Sequence, residues 1–267
     1  MKHSQKITPH MQRVTFTGDE LADFPENLES SSLRLIFSTD GQAITDKNQV
    51  EKGKFLKDYT SRTYTVRSYS REENELSIEF ALYRRQAGIA SAWAESAQPG
   101  DKILITNPRS TQLVDNEADW FLLAGDMSGL PALCCNLEQL PKEAQGYVII
   151  EIVSELDKQD LNAPNGIAVK WIINPKTGEN SDALVNAIQE LTWKEGNPYI
   201  WVACNLGSMK KIRAYMKNTR NIESKNIFIS SYWKFDRTLD EYVRDIRSEA
   251  SIYQRIGWWV KAQLSKF

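Results

Sequence analysis

The sequence predicts a two-domain β + α/β chain: an antiparallel β-barrel over 1–112, a parallel-sheet α/β domain over 113–235, and a C-terminal helical extension over 236–267. Three observations predict it. Up to residue 112, short strand-like runs follow one another with turns rather than helices between them. After Asp115, strands and helices alternate, as a parallel sheet with crossover helices requires. From Asp236 onward, apolar residues recur at helical spacing.

In the first part, Gln12–Thr17, Ser32–Phe37, Thr63–Tyr69, Glu75–Leu82 and Lys102–Thr106 read as strands, each rich in β-branched or aromatic residues. Turn-forming pieces such as Ser38-Thr-Asp-Gly41 and Gln98-Pro-Gly-Asp101 separate them. The polar, Lys-rich stretch from Gly41 to Lys57 reads as a mobile loop. In the second part the predicted order is strand Trp120–Ala124, helix Leu130–Leu140, strands Tyr147–Val153 and Val169–Ile173, and helix Asp182–Leu191. Strand Tyr199–Ala203, helix Ser208–Asn218 and strand Ile227–Ser230 complete it. In the tail, Leu239, Tyr242, Val243, Ile246, Ala250 and Tyr253 share one helical face, continued by Trp258 and Trp259. That face suits docking onto the core, or a contact between copies of the chain.

Composition narrows the function classes. Charge is nearly balanced, with 33 basic and 35 acidic residues and a net charge of -2, which gives no global case for nucleic acid. No apolar run is long enough to cross a bilayer, and the N-terminus lacks the apolar stretch of a signal peptide. The expectation is a cytoplasmic monomer. Cys134, Cys135 and Cys204 are an odd count in apolar surroundings and read as reduced, buried thiols. The two histidines, His3 and His10, lie within ten residues of the start, so no protein-held metal is expected.

Chemistry enters through four segments. Arg62-Thr-Tyr64-Thr65-Val-Arg67 lies in a strand, where Arg62 and Tyr64 fall on one face by alternation. The phenol offers a flat stacking surface, Thr65 a short hydroxyl, and Arg62 a fork of donors suited to a pyrophosphate. Taken alone, the hexamer reads equally as an ordinary strand edge. Ala87-Gly88-Ile89-Ala90-Ser91-Ala92-Trp93 is a small-residue turn opening a helix, fit to approach a phosphate or simply to cap itself with Ser91. Ala124-Gly125-Asp126-Met127-Ser128-Gly129-Leu130-Pro131 joins the first parallel strand to its helix, with Pro131 suited to the first helical turn. It lacks the GxGxxG spacing. The fourth, Ala203-Cys204-Asn205, ends a later strand, with Cys204 a small buried filler.

In order and spacing, these segments resemble the siderophore-interacting protein family, the FAD-binding ferric-siderophore reductases within the ferredoxin–NADP reductase superfamily. The resemblance runs from Thr8-Pro9-x-Met11-x-Arg13-Val14 through Pro99-Gly100-Asp101 to Ser231-Tyr232-Trp233-Lys234. It implies that Tyr64 packs on the isoalloxazine of FAD, with Thr65 near its reactive edge and Arg62 near the pyrophosphate. Backbone groups at Gly88, Ala90 and Ser91 would complete the phosphate cradle, with Trp93 behind. Arg67 would reach the phosphates or pair with a neighbouring carboxylate. Gly125 and Asp126, with the Cys204-Asn205 turn, would face NADH or NADPH. The chain departs from the family pattern at Tyr83-Arg84 (often His-Gly), at Ile89 (usually Pro) and at Cys204-Asn205 (often Gly-Glu).

The order Ser154-Glu155-Leu156-Asp157-Lys158 after the second parallel strand, acid first, favours NADH, since a carboxylate accepts from a ribose hydroxyl and repels a 2′-phosphate. No acid/base dyad is expected, because the flavin carries the chemistry. Lys54, Lys57, Lys234 and Lys261 are the candidate contacts for an anionic ferric siderophore. Trp258 and Trp259 are candidates to lie over the flavin. Two other readings remain: a flavin reductase serving a small redox protein, and a siderophore-binding module without catalysis.

Overall fold

The computed structural model describes residues 1–50, 59–83, 88–109, 113–176 and 182–234. Lys54, Lys57, Lys261, Trp258, Trp259 and the proposed extension over 236–267 lie outside the described residues.

The N-terminal part holds β1 (His3–Thr8), β2 (Met11–Thr17), β3 (Ser32–Ser38), a single helical turn α1 (Lys47–Val50), β4 (Tyr59–Thr65), β5 (Ser68–Ser70), β6 (Glu75–Ala81) and α2 (Ile89–Ser96). Every pairing is antiparallel. One sheet has the order β1-β2-β6-β5, and β3 pairs with β4 in a second. Alternate apolar residues of both sheets meet in one core of Val14, Phe16, Leu33, Leu35, Phe37, Leu76, Ile78 and Phe80. β1 has no counterpart in the sequence reading, because its His-Ser-Gln-Lys run is polar and only Thr8 is buried. Lys102–Thr106 runs beside β3 as an isolated bridge from Ile105 to Leu35, with Leu104 accepting from Ile36 N–H and Thr106 N–H donating to the Arg34 carbonyl.

The predicted strand Thr63–Tyr69 is two strands. Val66, fully buried, donates to Ser31 and accepts from Ser30, and Arg67 then donates to Ser77 beside β6. The chain thus leaves the β3–β4 sheet at Thr65 and joins the other sheet at Ser68. Arg62, Tyr64 and Thr65 belong to one sheet; Arg67 stands at the corner leading into the other.

The C-terminal part comprises β7 (Trp120–Asp126), α3 (Leu130–Glu138), β8 (Gln145–Ile152), β9 (Gly166–Ile173), α4 (Ala183–Gln189), β10 (Pro198–Asn205), α5 (Leu206–Ala214) and β11 (Ile227–Trp233). All five strands are parallel, in the order β11-β10-β7-β8-β9. β7 is buried along its whole length, as a central parallel strand covered on both faces should be. Strand order reverses between β7 and β10, so the crevice where such sheets take ligands opens at the C-terminal ends of these two strands. Among the described residues no helix is long and apolar enough to cross a membrane.

The two parts are stitched by buried polar contacts. Asn136 of α3 donates to Ser30 at 3.0 Å and accepts from Val114 N–H at 2.9 Å. The Cys135 thiol donates to the Val66 and Arg67 carbonyls.

Candidate functional site

Tyr64 lies half-buried on β4 opposite Leu33, its ring 4.3 Å from that of Phe80. Burial pushes its phenol upward, and the nearby Arg62 charge opposes that; the unbroken β3–β4 register puts Arg62 and Tyr64 on the same face. Arg62 also donates to Thr60 Oγ1 at 2.6 Å and the Ser61 carbonyl at 2.9 Å. Thr65 is buried and hydrogen-bonds the Tyr232 phenol, whose pKa is pushed up to about 12, chiefly by burial. β4 is thereby joined to the end of β11.

Arg67 resolves in favour of the carboxylate. Its guanidinium grips Glu138 of α3 through two nitrogens, at 3.1 and 2.6 Å, and lies 3.7 Å from Glu79, which also pairs with Arg13. The corner after Thr65 aims Arg67 at the second part of the molecule rather than along the flavin strand.

At the candidate cradle, Gly88 precedes α2 and supplies no side-chain cap, and among the described residues no side chain accepts from the first-turn N–H groups. Ser91 donates instead to the Gly88 carbonyl at 2.9 Å, and Ala90 is buried in the barrel core. Trp93 packs against Phe16, Phe37 and Phe80, behind the cradle. An uncapped N-terminus of this kind suits an anion, and the arrangement beside a half-buried Tyr64 fits the phosphates and ring of FAD.

The second half differs more from expectation. Gly125 and Gly129 let protein approach protein: a Cβ on Gly125 would lie 2.8 Å from the Ala203 carbonyl of β10, and one on Gly129 would overlap it. Asp126 is fully buried at the crevice. Its carboxylate accepts from Ser128 N–H and Oγ, from Asn205 N–H at 2.9 Å and from Trp233 Nε1 at 2.7 Å. Burial raises its pKa and those hydrogen bonds oppose the rise. Trp233 stacks on Tyr83, centroids 4.9 Å apart. Lys234 follows directly.

The acidic run after β8 divides between the interior and the surface. Asp157 is 0% exposed and accepts from Thr8 Oγ1 at 2.8 Å, His10 N–H at 3.0 Å, His10 Nδ1 at 2.8 Å and Ser154 N–H at 3.0 Å. Ser154 and Asp157 form a capping box around a single 3₁₀ turn, a pattern legible as Ser-x-x-Asp. Glu155 pairs with Lys158, leaving Leu156 outermost at 72% exposure. Of the two acids after the second parallel strand, Asp157 joins the two parts of the molecule, while Glu155, the first, stays at the surface.

Glu151 went unnoticed in the sequence. It sits beside Asp126 in the β7–β8 register, 1% exposed, and accepts from Asn174 Nδ2 at 2.8 Å. Burial lifts its pKa to about 7, helped by the Asp126 charge. The thiols are inert: burial pushes Cys134 up to about 12, Cys135 to about 11 and Cys204 well above its usual value.

Residues 1–112 match the siderophore-interacting FAD-binding domain, and residues 118–236 match the siderophore-interacting protein model. The chain belongs to the siderophore-interacting protein family. Family relatives include the ferric vibriobactin reductase ViuB of Vibrio cholerae, 29% identical over 241 residues that cover 88% of each chain. The NADPH-dependent ferric-chelate reductase of Escherichia coli is 26% identical, over 86% of this chain and 89% of that one. The crystal structure of the siderophore-interacting protein SipS from Aeromonas hydrophila superposes with a TM-score of 0.79 at 27% identity, covering 91% of this chain and 93% of that one.

Proposed function

We propose that this chain is an FAD-dependent reductase of ferric siderophores that draws electrons from NADH or NADPH. The observation that carries the reading is one barrel core shared by β4 and the start of α2: the unbroken β3–β4 register puts Arg62 and Tyr64 on one face, Tyr64 packs on the core that also holds Ala90 and Trp93, and Gly88 opens α2 without a side-chain cap. Ferric reductases among the relatives supply the substrate class.

Tyr64 would hold the ring of the flavin and Arg62 its pyrophosphate, while the amides at Gly88, Ala90 and Ser91 complete the anion contact. FAD held there would supply hydride-accepting chemistry toward the nicotinamide and single-electron chemistry toward the chelated iron. The protein's share is placement. Thr65, hydrogen-bonded to Tyr232, holds the flavin strand against the end of the parallel sheet, where a dinucleotide would enter. Lys234 places a positive charge at that end, suited to draw in an anionic ferric chelate. Reduction frees the metal, because oxygen-rich chelators hold Fe(II) far less tightly than Fe(III).

Anaerobic titration tests the reading. The purified protein should be yellow with a two-banded flavin spectrum. It should bleach on adding NADH or NADPH and recover its colour on adding ferric siderophore, and running both donors side by side fixes the preference. A colourless protein that still binds ferric siderophore would sink the enzyme reading in favour of a binding module.

A further inference from the structure

We propose that Asp126 is a positioning residue: it clasps the Trp233 indole across the β7–β10 switch point and thereby sets the Trp233-Lys234 turn that receives an anionic iron(III) chelate. The chelate rests on the reading above; the clasp does not.

Asp126 stands where a parallel sheet ordinarily offers its ligand crevice. Yet its carboxylate has no capacity to spare. A carboxylate has about four lone-pair sites, and four donors occupy them: Ser128 N–H, Ser128 Oγ, Asn205 N–H and Trp233 Nε1. Those donors come from the β7–α3 turn, the end of β10 and the end of β11. A buried anion so saturated is a poor seat for a dinucleotide's pyrophosphate, which it would repel. It is a good anchor for an indole, because an N–H bonded to an ionised acceptor is the stronger kind.

Trp233 is held on its other side too. Its ring stacks on Tyr83 at 4.9 Å and 25° between planes. Tyr83 ends the described segment before the cradle. Its buried hydroxyl has no hydrogen-bond partner among the described residues, so it contributes its ring and not a polar link. Trp233 is therefore the meeting point of the flavin part, the switch point and the turn carrying Lys234. Freeing the indole would release the backbone from which Lys234 projects.

The test uses Asp126→Asn, Trp233→Phe and the double variant in the full-length chain. In the ¹H–¹⁵N spectrum, the indole signal missing from W233F belongs to Trp233. In D126N that signal should shift and exchange with water at least about tenfold faster, given the strength of hydrogen bonds to charged groups. In anaerobic reoxidation by an iron(III) tris-catecholate, each single variant should raise KM about tenfold with little change in kcat, and the double variant should do no worse than either single one. Affinity for NADH and NADPH should stay within about twofold. An unmoved indole signal would overturn the clasp. So would loss of dinucleotide affinity in D126N that persists by the same factor in the W233F background, since Asp126 would then touch the dinucleotide directly. Should D126N fail to fold, W233F alone decides: an unchanged KM for the chelate overturns the proposal. A wild-type protein that takes up no FAD, or is not reoxidised by the chelate, defeats the ferric-siderophore reading, while the indole signal still judges the clasp.

Discussion

Glu151 makes the molecule sensitive to pH at a single side chain. Its ordinary pKa is 4.5, and in the folded protein it lies near 7 because burial penalises the charge. Between these values the folded state holds a proton that the unfolded chain has released, so stability falls as pH rises from about 4.5 to about 7 and stays lowered above. Glu151→Gln keeps an acceptor for Asn174 and removes the penalty. It should stabilise the protein at pH 8 by on the order of 2–3 kcal/mol, read as a higher Tm, and the gain should vanish below about pH 4.5. On the proposed function, cofactor retention turns on Tyr64. Tyr64→Ala should weaken FAD binding by about tenfold or more, the usual worth of an aromatic stacking partner, as measured by flavin release on dilution.

At the scale of elements, close approach governs the β7–α3 turn. Gly129 abuts the Ala203 carbonyl of β10, so Gly129→Ala must push α3 and β10 apart. The expected cost is about 1–3 kcal/mol, visible in urea melts, even though the residue touches no ligand. The turn after β8 acts through Asp157. Removing its carboxylate leaves Thr8, His10 and Ser154 donors buried and unmatched. Asp157→Ala should therefore cost about 3–5 kcal/mol, and Thr8→Ala far less, since it takes away only one of the donors.

Across the whole molecule, the joint between the β part and the α/β part combines an apolar seam, where Met11, Ile7 and Ala81 pack into the second part's core, with polar contacts. Asp157 with His10 and Thr8, Asn136 with Ser30, Arg67 with Glu138 and Cys135 with the Val66 carbonyl cross it at separate points. Each such contact is costly to open without water to replace it. Calorimetry of the intact protein should show one transition. In Asp157→Ala the trace should broaden or split, and coincident single transitions in both proteins would refute the claim that this joint couples the two parts.

Local pattern determined much of this protein. The change from alternating strands to strand–helix units marked the two architectures, and the Arg62-to-Arg67 strand with the Gly88 turn marked the face proposed for the flavin, because strand alternation and helix starts are properties of neighbouring residues. What only the tertiary structure decided is where long-range partners lie. Arg67 belongs to Glu138, some seventy residues away in the chain, because the strand changes sheets at Val66. Asp157 belongs to His10, and Asp126 to Trp233. A carboxylate's local sequence announces that it wants donors, but which donors reach it is fixed when two distant strands end side by side.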